Sequence, residues 1–404
     1  MGATAQPESV SRTCAVLGIW QDSGVSDFLE RLRAGADDRA ARGLTRSLTT
    51  FDPSTVLDLA GNDYLGLRNH PRVIDAGIAA LRAHGGGAGA SRLVTGTLAI
   101  HEELESRLAG LVGAPSALVL SSGYAANLAV LTSLADADTL IVSDAHAHAS
   151  LIDGARLSRG TVAVARHNDV EHVRELVTGR SQARALIVVE SIYSVFGDVA
   201  PLADLMTLAA DTGSVLVVDE AHALGASGRG GRGLVADTRA AEALGGEPFP
   251  EQVVITGTLS KALGSQGGVV LGHPLVREHL VNTARPFIYD TGLAPAAAGA
   301  ALGALDVIAE DPGLVDRLRD NAETLAGACQ VAAPPGAVMS VPMAGPEAAL
   351  AAVDAAQRHG IRIGCFRPPS TPDGSSRLRL TAHAHHTEEQ LASAAAVLAE
   401  VIPA

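Results

Sequence analysis

The sequence predicts an α/β protein: a large domain with a mostly parallel sheet covered by helices, then a smaller α+β C-terminal domain. Three observations predict it. Hydrophobic residues make up 47% of the 404-residue chain and aromatics only 3%, so the apolar content is mostly Ala, Val and Leu. That composition suits helices laid over a buried sheet. From about residue 56, short β-branched runs alternate with Ala/Leu stretches of helical length. Many of those runs are apolar throughout, as expected of strands buried on both faces, and the stretches between them supply crossovers.

In chain order, residues 1–55 read as a lead of about 20 residues followed by an arginine-rich amphipathic arm helix, DFLERLRAGADDRAARGL. Residues 56–295 read as the large domain, with strand candidates ALVL, TLIVS, TVAVA, ALIVVE, VLVVD, VVIT and GVVLG. From 296 to 404 the pattern changes: a long helix, AAAGAALGALDVIAE, precedes three further strand candidates, AVMSV, RIGCF and SRLRLT. There is no internal repeat. GGGAGASRLVTG lacks the spacing of a dinucleotide fingerprint and follows a helical stretch, and GxxxxGK[ST] does not occur.

Composition also excludes function classes. A net charge of −14 argues against a nucleic-acid binder. Cys14, Cys329 and Cys365 form no CxxC and no disulfide framework, so a reducing cytoplasm is the expected compartment. No apolar run approaches the ~18 residues of a membrane span. MGATAQPESV lacks a signal-peptide pattern, and Gln6 stands where a myristoylation motif has Ser or Thr.

One residue stands apart: Lys261, in TGTLSKALGSQGG, is the sole lysine among 30 Lys and Arg residues. Arginine stays protonated and cannot act as an amine nucleophile, whereas a desolvated lysine can form a Schiff base with a carbonyl. The plain alternative is a surface lysine spared by compositional bias. Other strand ends carry reactive residue types, where open α/β sheets bind ligands. ALVL runs into SSGYAANLAVL, a turn and helix start able to hold a phosphate; an ordinary N-cap at Ser121 or Ser122 is the simpler reading. VLVVD ends in Asp219, followed by Glu220 and His222. A buried acid there needs a cationic partner, and a structural salt bridge would also provide one. VVIT ends near Thr258 and Ser260. His146 and His148 share a face if extended, but no third metal ligand with suitable spacing accompanies them. HAHH at 383–386 reads as a solvated turn, so no metal site is expected. Pyridoxal 5'-phosphate would use these pieces together: an anion site, a lysine for its aldehyde, a carboxylate for its ring nitrogen and a flat group against its ring.

Eight stretches carry a resemblance over nearly the whole chain: NDYLGL (62–67), SRLVTG (91–96), SSGYAANL (121–128), HASL (148–151), VVDEAH (217–222), TLSKALGSQGG (258–268), RPFIYDTGLAPAA (285–297) and RPPSTPDGSSRLRLT (367–381). In this order they resemble the α-oxoamine synthases of the fold-type I pyridoxal phosphate enzymes. The resemblance implies that Lys261 holds the cofactor and moves the substrate proton, that Asp219 pairs with the ring nitrogen, and that His222 contacts the ring hydroxyl. It implies His148 stacked on the ring face, with Gly123, Tyr124 and Thr258 around the phosphate and Ser194 nearby. Thr291 would reach the neighbouring subunit's phosphate, implying a homodimer with its active sites at the interface. Arg379 would hold the amino acid's carboxylate, and Ser370 stands where the family usually has threonine. The implied reaction is a decarboxylating condensation of L-alanine with a pimeloyl thioester of CoA or acyl carrier protein. Glycine or serine with another acyl group, or a non-catalytic cofactor-binding regulator, are the alternatives.

Two positions depart from the family pattern. Phe196 replaces a usual aspartate, and Thr45 replaces an arginine that contacts substrate. If the arm stays helical, Arg42 lies one turn before Thr45 and could replace that arginine toward the distal pimeloyl carboxylate, with Arg46 as runner-up.

Overall fold

The computed structural model of the chain describes residues 27–42, 44–46, 48, 50, 52, 55–241, 248–368, 371 and 373–402. The chain divides into two compact units after Asp52. In the first, the arm helix forms over Asp27–Ala41, with Asp27 and Glu30 in its first turn and Arg39 in its last, matching the helix dipole. It is shorter than expected, and Gly43, a poor helix former, follows its end. Thr45 and Arg46 therefore lie past the helix, and the one-face relation expected between Arg42 and Thr45 does not hold. Arg42 is exposed and ion-paired to Asp38 at 3.3 Å.

The second unit opens with β1 (Leu57–Asp58). The seven expected strands of the main sheet all form: β2 (Ser116–Leu120), β3 (Thr139–Asp144), β4 (Thr161–Ala165), β5 (Arg184–Glu190), β6 (Val215–Asp219), β7 (Val253–Thr258) and β8 (Gly268–Gly272). Their order is β2-β8-β7-β6-β5-β3-β4, parallel except that β8 runs antiparallel to both its neighbours. Every residue of β3, β7 and β8 is buried, the polar Thr139, Ser143, Asp144, Thr256 and Thr258 included, as expected of strands covered on both faces. β4 differs. It is the sheet edge, and Val162 and Val164 are exposed, so apolar content alone did not mean burial on both faces.

The remaining strands are β9 (Val338–Pro342), β10 (Ile361–Arg362), β11 (Gly364–Phe366) and β12 (Arg377–Thr381). β11-β12-β9 is an antiparallel sheet, while β10 pairs in parallel with β1. The segment after β1 continues against the C-terminal strands: the Thr381 N–H donates to Leu59 O at 2.8 Å and the Ala384 N–H to Tyr64 O at 2.7 Å. These bonds carry the HAHH stretch indoors. His383 and His386 are only 2% and 7% exposed and His385 alone faces solvent, so the stretch is not the solvated turn expected. Its backbone polar groups are satisfied by protein, as burial demands; Asn321 Nδ2 donates to His383 O at 2.8 Å. Loss of water pushes the imidazole pKa values down, to about 4 for His383 and about 3 for His386. Cys329 and Cys365 are free thiols; Cys14 lies outside the described residues. Among the described residues, no helix is long and apolar enough to cross a membrane.

The helix Pro295–Glu310 lies along Pro71–His84 at very close range. A Cβ on Gly299 would fall 2.5 Å from Ala80 Cβ and 2.6 Å from Ala76 O. Gly299→Ala is therefore expected to lower the thermal midpoint: overpacking costs about 1–3 kcal/mol against a helix-propensity gain of about 1 kcal/mol. Gly327, with nothing within 4 Å of its would-be Cβ, is the control. Gly327→Ala should raise the midpoint, and a pair of substitutions moving stability in the same direction would contradict this packing account.

Candidate active site

The site grows from the carboxyl ends of neighbouring parallel strands. Register sets Glu190, at the end of β5, beside Asp219, at the end of β6. Both are buried. Asp219 accepts hydrogen bonds from Asn127 Nδ2 at 2.7 Å and from the Ala221 N–H at 2.8 Å. The Asn127 amide is itself fixed, donating to Ser150 Oγ at 2.8 Å and accepting from Thr256 Oγ1 at 2.6 Å. Glu190 Oε2 accepts from the Ser194 N–H at 3.2 Å, and its buried Oε1 has no hydrogen-bond partner. Burial, then the Asp219 charge, raises the Glu190 pKa well above its ordinary 4.5, which favours the protonated carboxyl.

Lys261 sits in the loop after β7, which closes through Leu259 N–H to Gly267 O at 3.0 Å and Ser265 N–H to Leu259 O at 2.9 Å. Gly264 has φ +57°, and a Cβ there would lie 2.4 Å from the Arg68 backbone nitrogen, so the loop can seat only glycine at that point. The Lys261 amine lies 2.9 Å from His222 Nε2, and His222 Nδ1 lies 2.7 Å from Tyr64 Oη. The Tyr64 hydroxyl donates to Asn62 Oδ1 at 3.0 Å, and Arg379 Nη2 donates to the same oxygen at 3.2 Å. With the Tyr64 proton committed to Asn62, the consistent assignment puts the His222 proton on Nδ1 and leaves Nε2 to accept from Lys261. Burial, then the Lys261 and Arg379 charges, pushes His222 well below its usual range, so it is neutral. Burial also brings Lys261 down to about 8, opposed by Asp219 and Glu190 and assisted by Arg379. At pH 7 an amine with that pKa is neutral in about a tenth of molecules, a far larger share than for an ordinary lysine, and the neutral form is the one a nucleophile or proton acceptor needs.

The helix Gly123–Leu134 starts at the end of β2, and Ser122 Oγ caps it by accepting from the Ala125 N–H at 3.0 Å. The simple capping reading is thus realised at Ser122, while Ser121 donates to Asp290. A Cβ at Gly123 would touch Thr258 Cβ at 3.0 Å, so the helix start and the end of β7 approach closely. Thr258 Oγ1 is buried and donates to Gly267 O at 3.0 Å. Tyr124 is partly exposed, its hydroxyl donating to Asp153 at 2.6 Å. His146 and His148 are not a pair. The turn between β3 and the helix Ala149–Leu157 separates them: His146 stacks on His167 at 3.6 Å, while His148 caps the helix and lies 2.7 Å from Ser150 Oγ. Arg379 is buried, and its Nε donates to the Ser194 carbonyl at 2.7 Å. Thr291 is exposed in a bridge with Ser91. Ser370 lies outside the described residues.

Asn127, Glu190, Asn62 and Tyr64 were not singled out from sequence. A signal existed for one: ALIVVE ends in an acid just as VLVVD does. The others depend on helix phase and on distant segments meeting.

Residues 54–398 match the family model described as aminotransferase class I and II. An 8-amino-7-oxononanoate synthase from Mycolicibacterium gilvum is 53% identical over 366 residues, covering 90% of this chain and 94% of its own. The chain belongs to the aminotransferase class I and II family, among its 8-amino-7-oxononanoate synthases. Two solved structures share the fold-type I architecture of this family. A serine palmitoyltransferase from S. paucimobilis, with a bound pyridoxal phosphate–myriocin aldimine, has TM-score 0.83 at 28% identity, covering 94% of this chain and 98% of that one. An 8-amino-7-oxononanoate synthase from Francisella tularensis has TM-score 0.73 at 25% identity, covering 86% and 98%. The family's cofactor is pyridoxal 5'-phosphate, and the residues present fit it. A helix N-terminus meets Thr258 across Gly123, where even a Cβ would crowd Thr258 Cβ at 3.0 Å, a close backbone approach suited to cradling a phosphate. One lysine amine of lowered pKa and one strand-end carboxylate, oriented by an amide, stand beside it.

Glu190→Gln tests the protonation of that carboxyl. A raised acid pKa means the folded state binds more protons than the unfolded one above pH 4.5, so Glu190 costs stability that grows as pH rises from there to its folded pKa. The variant's unfolding free energy should exceed the parent's by a margin widening up to about 1.4 kcal/mol per pH unit. A margin independent of pH, in chemical denaturation across pH 5 to about 7, would show Glu190 ionised instead.

Proposed function

We propose that the chain catalyses the reaction its 8-amino-7-oxononanoate synthase relatives are named for: decarboxylating condensation of L-alanine with a pimeloyl thioester, a step of biotin synthesis. The observation that carries the proposal is the Lys261 amine, lowered to about 8 and 2.9 Å from a neutral His222, in a chain 53% identical to such a synthase. When bound, pyridoxal phosphate supplies an aldehyde for amines and a protonated ring that accepts a carbanion's electrons.

The chain's own residues then divide the work. Lys261 Nζ would hold the cofactor and would take the α-proton of alanine; His222 Nε2 orients the amine by accepting its hydrogen. Asp219, held by Asn127, keeps a negative charge where the ring nitrogen must stay protonated. Gly123, Tyr124 and Thr258 would hold the cofactor's phosphate, and His148 and Ser194 would contact the cofactor. Arg379 receives the alanine carboxylate through a bidentate, charge-assisted contact, its fork already aimed by Ser194 O and Asn62. Thr291, exposed on its turn, is suited to reach a second copy's phosphate, so the working unit is a homodimer in the cytoplasm with its active sites shared. The acyl donor is a CoA or acyl carrier protein thioester. Toward the distal carboxylate we assign Arg42, with Arg46 as runner-up, and toward the substrate Ser370, which stands where the family usually has threonine. We assign residues 56–295 to cofactor binding and 296–404 to the smaller domain.

Thiol release across a panel of amino acids and acyl thioesters tests the reaction. Alanine with pimeloyl thioester should dominate; preference for serine or glycine would move the chain toward the palmitoyltransferase-like chemistry of its structural neighbour, and no release with any pair would leave a binding protein. Lys261→Ala should lose both turnover and the bound cofactor's near-visible band, and borohydride should fix the cofactor to Lys261 alone in the parent. Asp219→Asn should keep the fold but lose about 3 kcal/mol of transition-state stabilisation, roughly a hundredfold in turnover. Arg42→Ala should raise KM for pimeloyl thioester and not for an uncharged chain of equal length, the loss of one charge-assisted bond being about 1.5–3 kcal/mol. Equal effects on both chains would direct the search to Arg46 and beyond the arm.

A further inference from the structure

Behind the site, the turn from β12 into the helix Glu388–Val401 gathers three imidazoles. The ring centroids of His383, His385 and His386 are 4.8 to 5.5 Å apart, and one ligand nitrogen from each lies within 4.8 Å of the other two. They line a cavity of about 470 Å³ together with Asp58, Asp63 and Arg68. Arg68 is engaged with Asp63 at 3.5 Å, so the wall is not net positive.

The hydrogen bonding leaves lone pairs without protons to meet them. His383 Nδ1 lies 2.9 Å from the Asp63 carbonyl oxygen, so it carries the ring hydrogen and Nε2 carries the lone pair. The nearest group to Nε2 is Thr381 Oγ1 at 3.2 Å, whose only hydrogen goes to Gly61 O at 2.7 Å. Two acceptors therefore face each other. His386, 7% exposed, has a buried Nδ1 with no hydrogen-bond partner. An imidazole that donates one N–H to a backbone carbonyl and leaves the other nitrogen bare is in the state used by metal-ligating histidines, whose tautomer is set in the same way.

We propose that His383, His385 and His386 bind a divalent transition-metal ion of the zinc class, with water from the cavity completing its shell. Zinc–imidazole bonds of about 2.0–2.1 Å require ligand nitrogens about 3.3 Å apart in tetrahedral geometry. The rings must close by an ångström or so, and the exposed His385 is the one with room to do it. The site is structural, distinct from the catalytic groups. It clamps the turn after β12 to the Asp63 backbone, and Asn62 and Tyr64, on either side of Asp63, are the residues that reach Arg379 and His222.

The test uses the untagged full-length holoenzyme, stripped with a chelator, dialysed against micromolar zinc chloride and counted by elemental mass spectrometry. The expected result is about one zinc per chain and a higher thermal midpoint with zinc than without. His385→Ala, at an exposed position, should fold normally by its near-visible cofactor absorbance and bind zinc at least tenfold more weakly. His383→Asn combined with His385→Ala should abolish binding. Zinc content near zero in the parent, or affinity in His385→Ala equal to the parent's, would overturn the proposal.

Discussion

An amine must be kept buried beside two carboxyl groups, and the rest of the structure answers to that constraint. The register of β5 on β6 puts Glu190 and Asp219 side by side. Two ionised carboxylates so close in a poorly solvated setting would repel strongly. The two side chains meet that conflict differently. Burial and the neighbouring acid push Glu190 toward its protonated form, while the Asp219 oxygens accept from the Asn127 amide and the Ala221 N–H. The asymmetry is what chemistry at this site requires, because only one carboxylate has to hold a cationic partner.

Holding the amine also explains why widely separated segments converge. His222 can accept from Lys261 only if its other nitrogen is a donor, and Tyr64 fixes that through Asn62. Tyr64 is in turn tied by its backbone carbonyl to Ala384, past the end of β12. Arg379 on β12 shares Asn62 with Tyr64. Segments about 320 residues apart in sequence thus close one hydrogen-bond circuit, and the pairing of β1 with β10 brings them there. Arg379 and Lys261 are coupled through neutral, oriented groups. No mobile charge lies between them to weaken either.

Much of this was legible in the sequence where chemistry is local. The seven main strands could be read because each carries a short, largely apolar run, and Lys261 because no other lysine competes with it. What escaped depends on neighbours that a sequence does not display. Nothing in TVAVA distinguishes an edge strand from a central one. Asn127 looks like any helix residue until the helix phase aims it at Asp219. HAHH looks solvated because its burial comes from backbone bonds to Tyr64 and Asp63. The arm's one-face argument failed for a local reason, a helix that stops at Ala41.

Phe196 departs from the family pattern, and the loop around it is held by other contacts. The loop around it must fix Ser194, whose carbonyl aims Arg379 and whose N–H meets Glu190. An aspartate at 196 could do so by hydrogen bonding. Here Phe196 lies tilted against His146 at 4.9 Å, which itself stacks on His167, and under Arg377 at 4.4 Å, so ring packing and a cation–π contact hold the loop from one side. The carboxylate comes from Asp198 instead, bonded to His167 Nε2 at 2.7 Å and Asn168 at 2.9 Å. His167 also meets Asp144 at 2.8 Å, and these two acids raise it to about 9 against the opposing effect of burial. Between them Gly197, at φ +76°, passes so close to Val338 that a Cβ would lie 2.1 Å from its carbonyl oxygen. The loop is therefore pinned by ring stacking, a charged imidazole and a backbone contact available only to glycine. None of these requires an acid at 196, and the Ser194 backbone is held for Arg379 and Glu190 all the same.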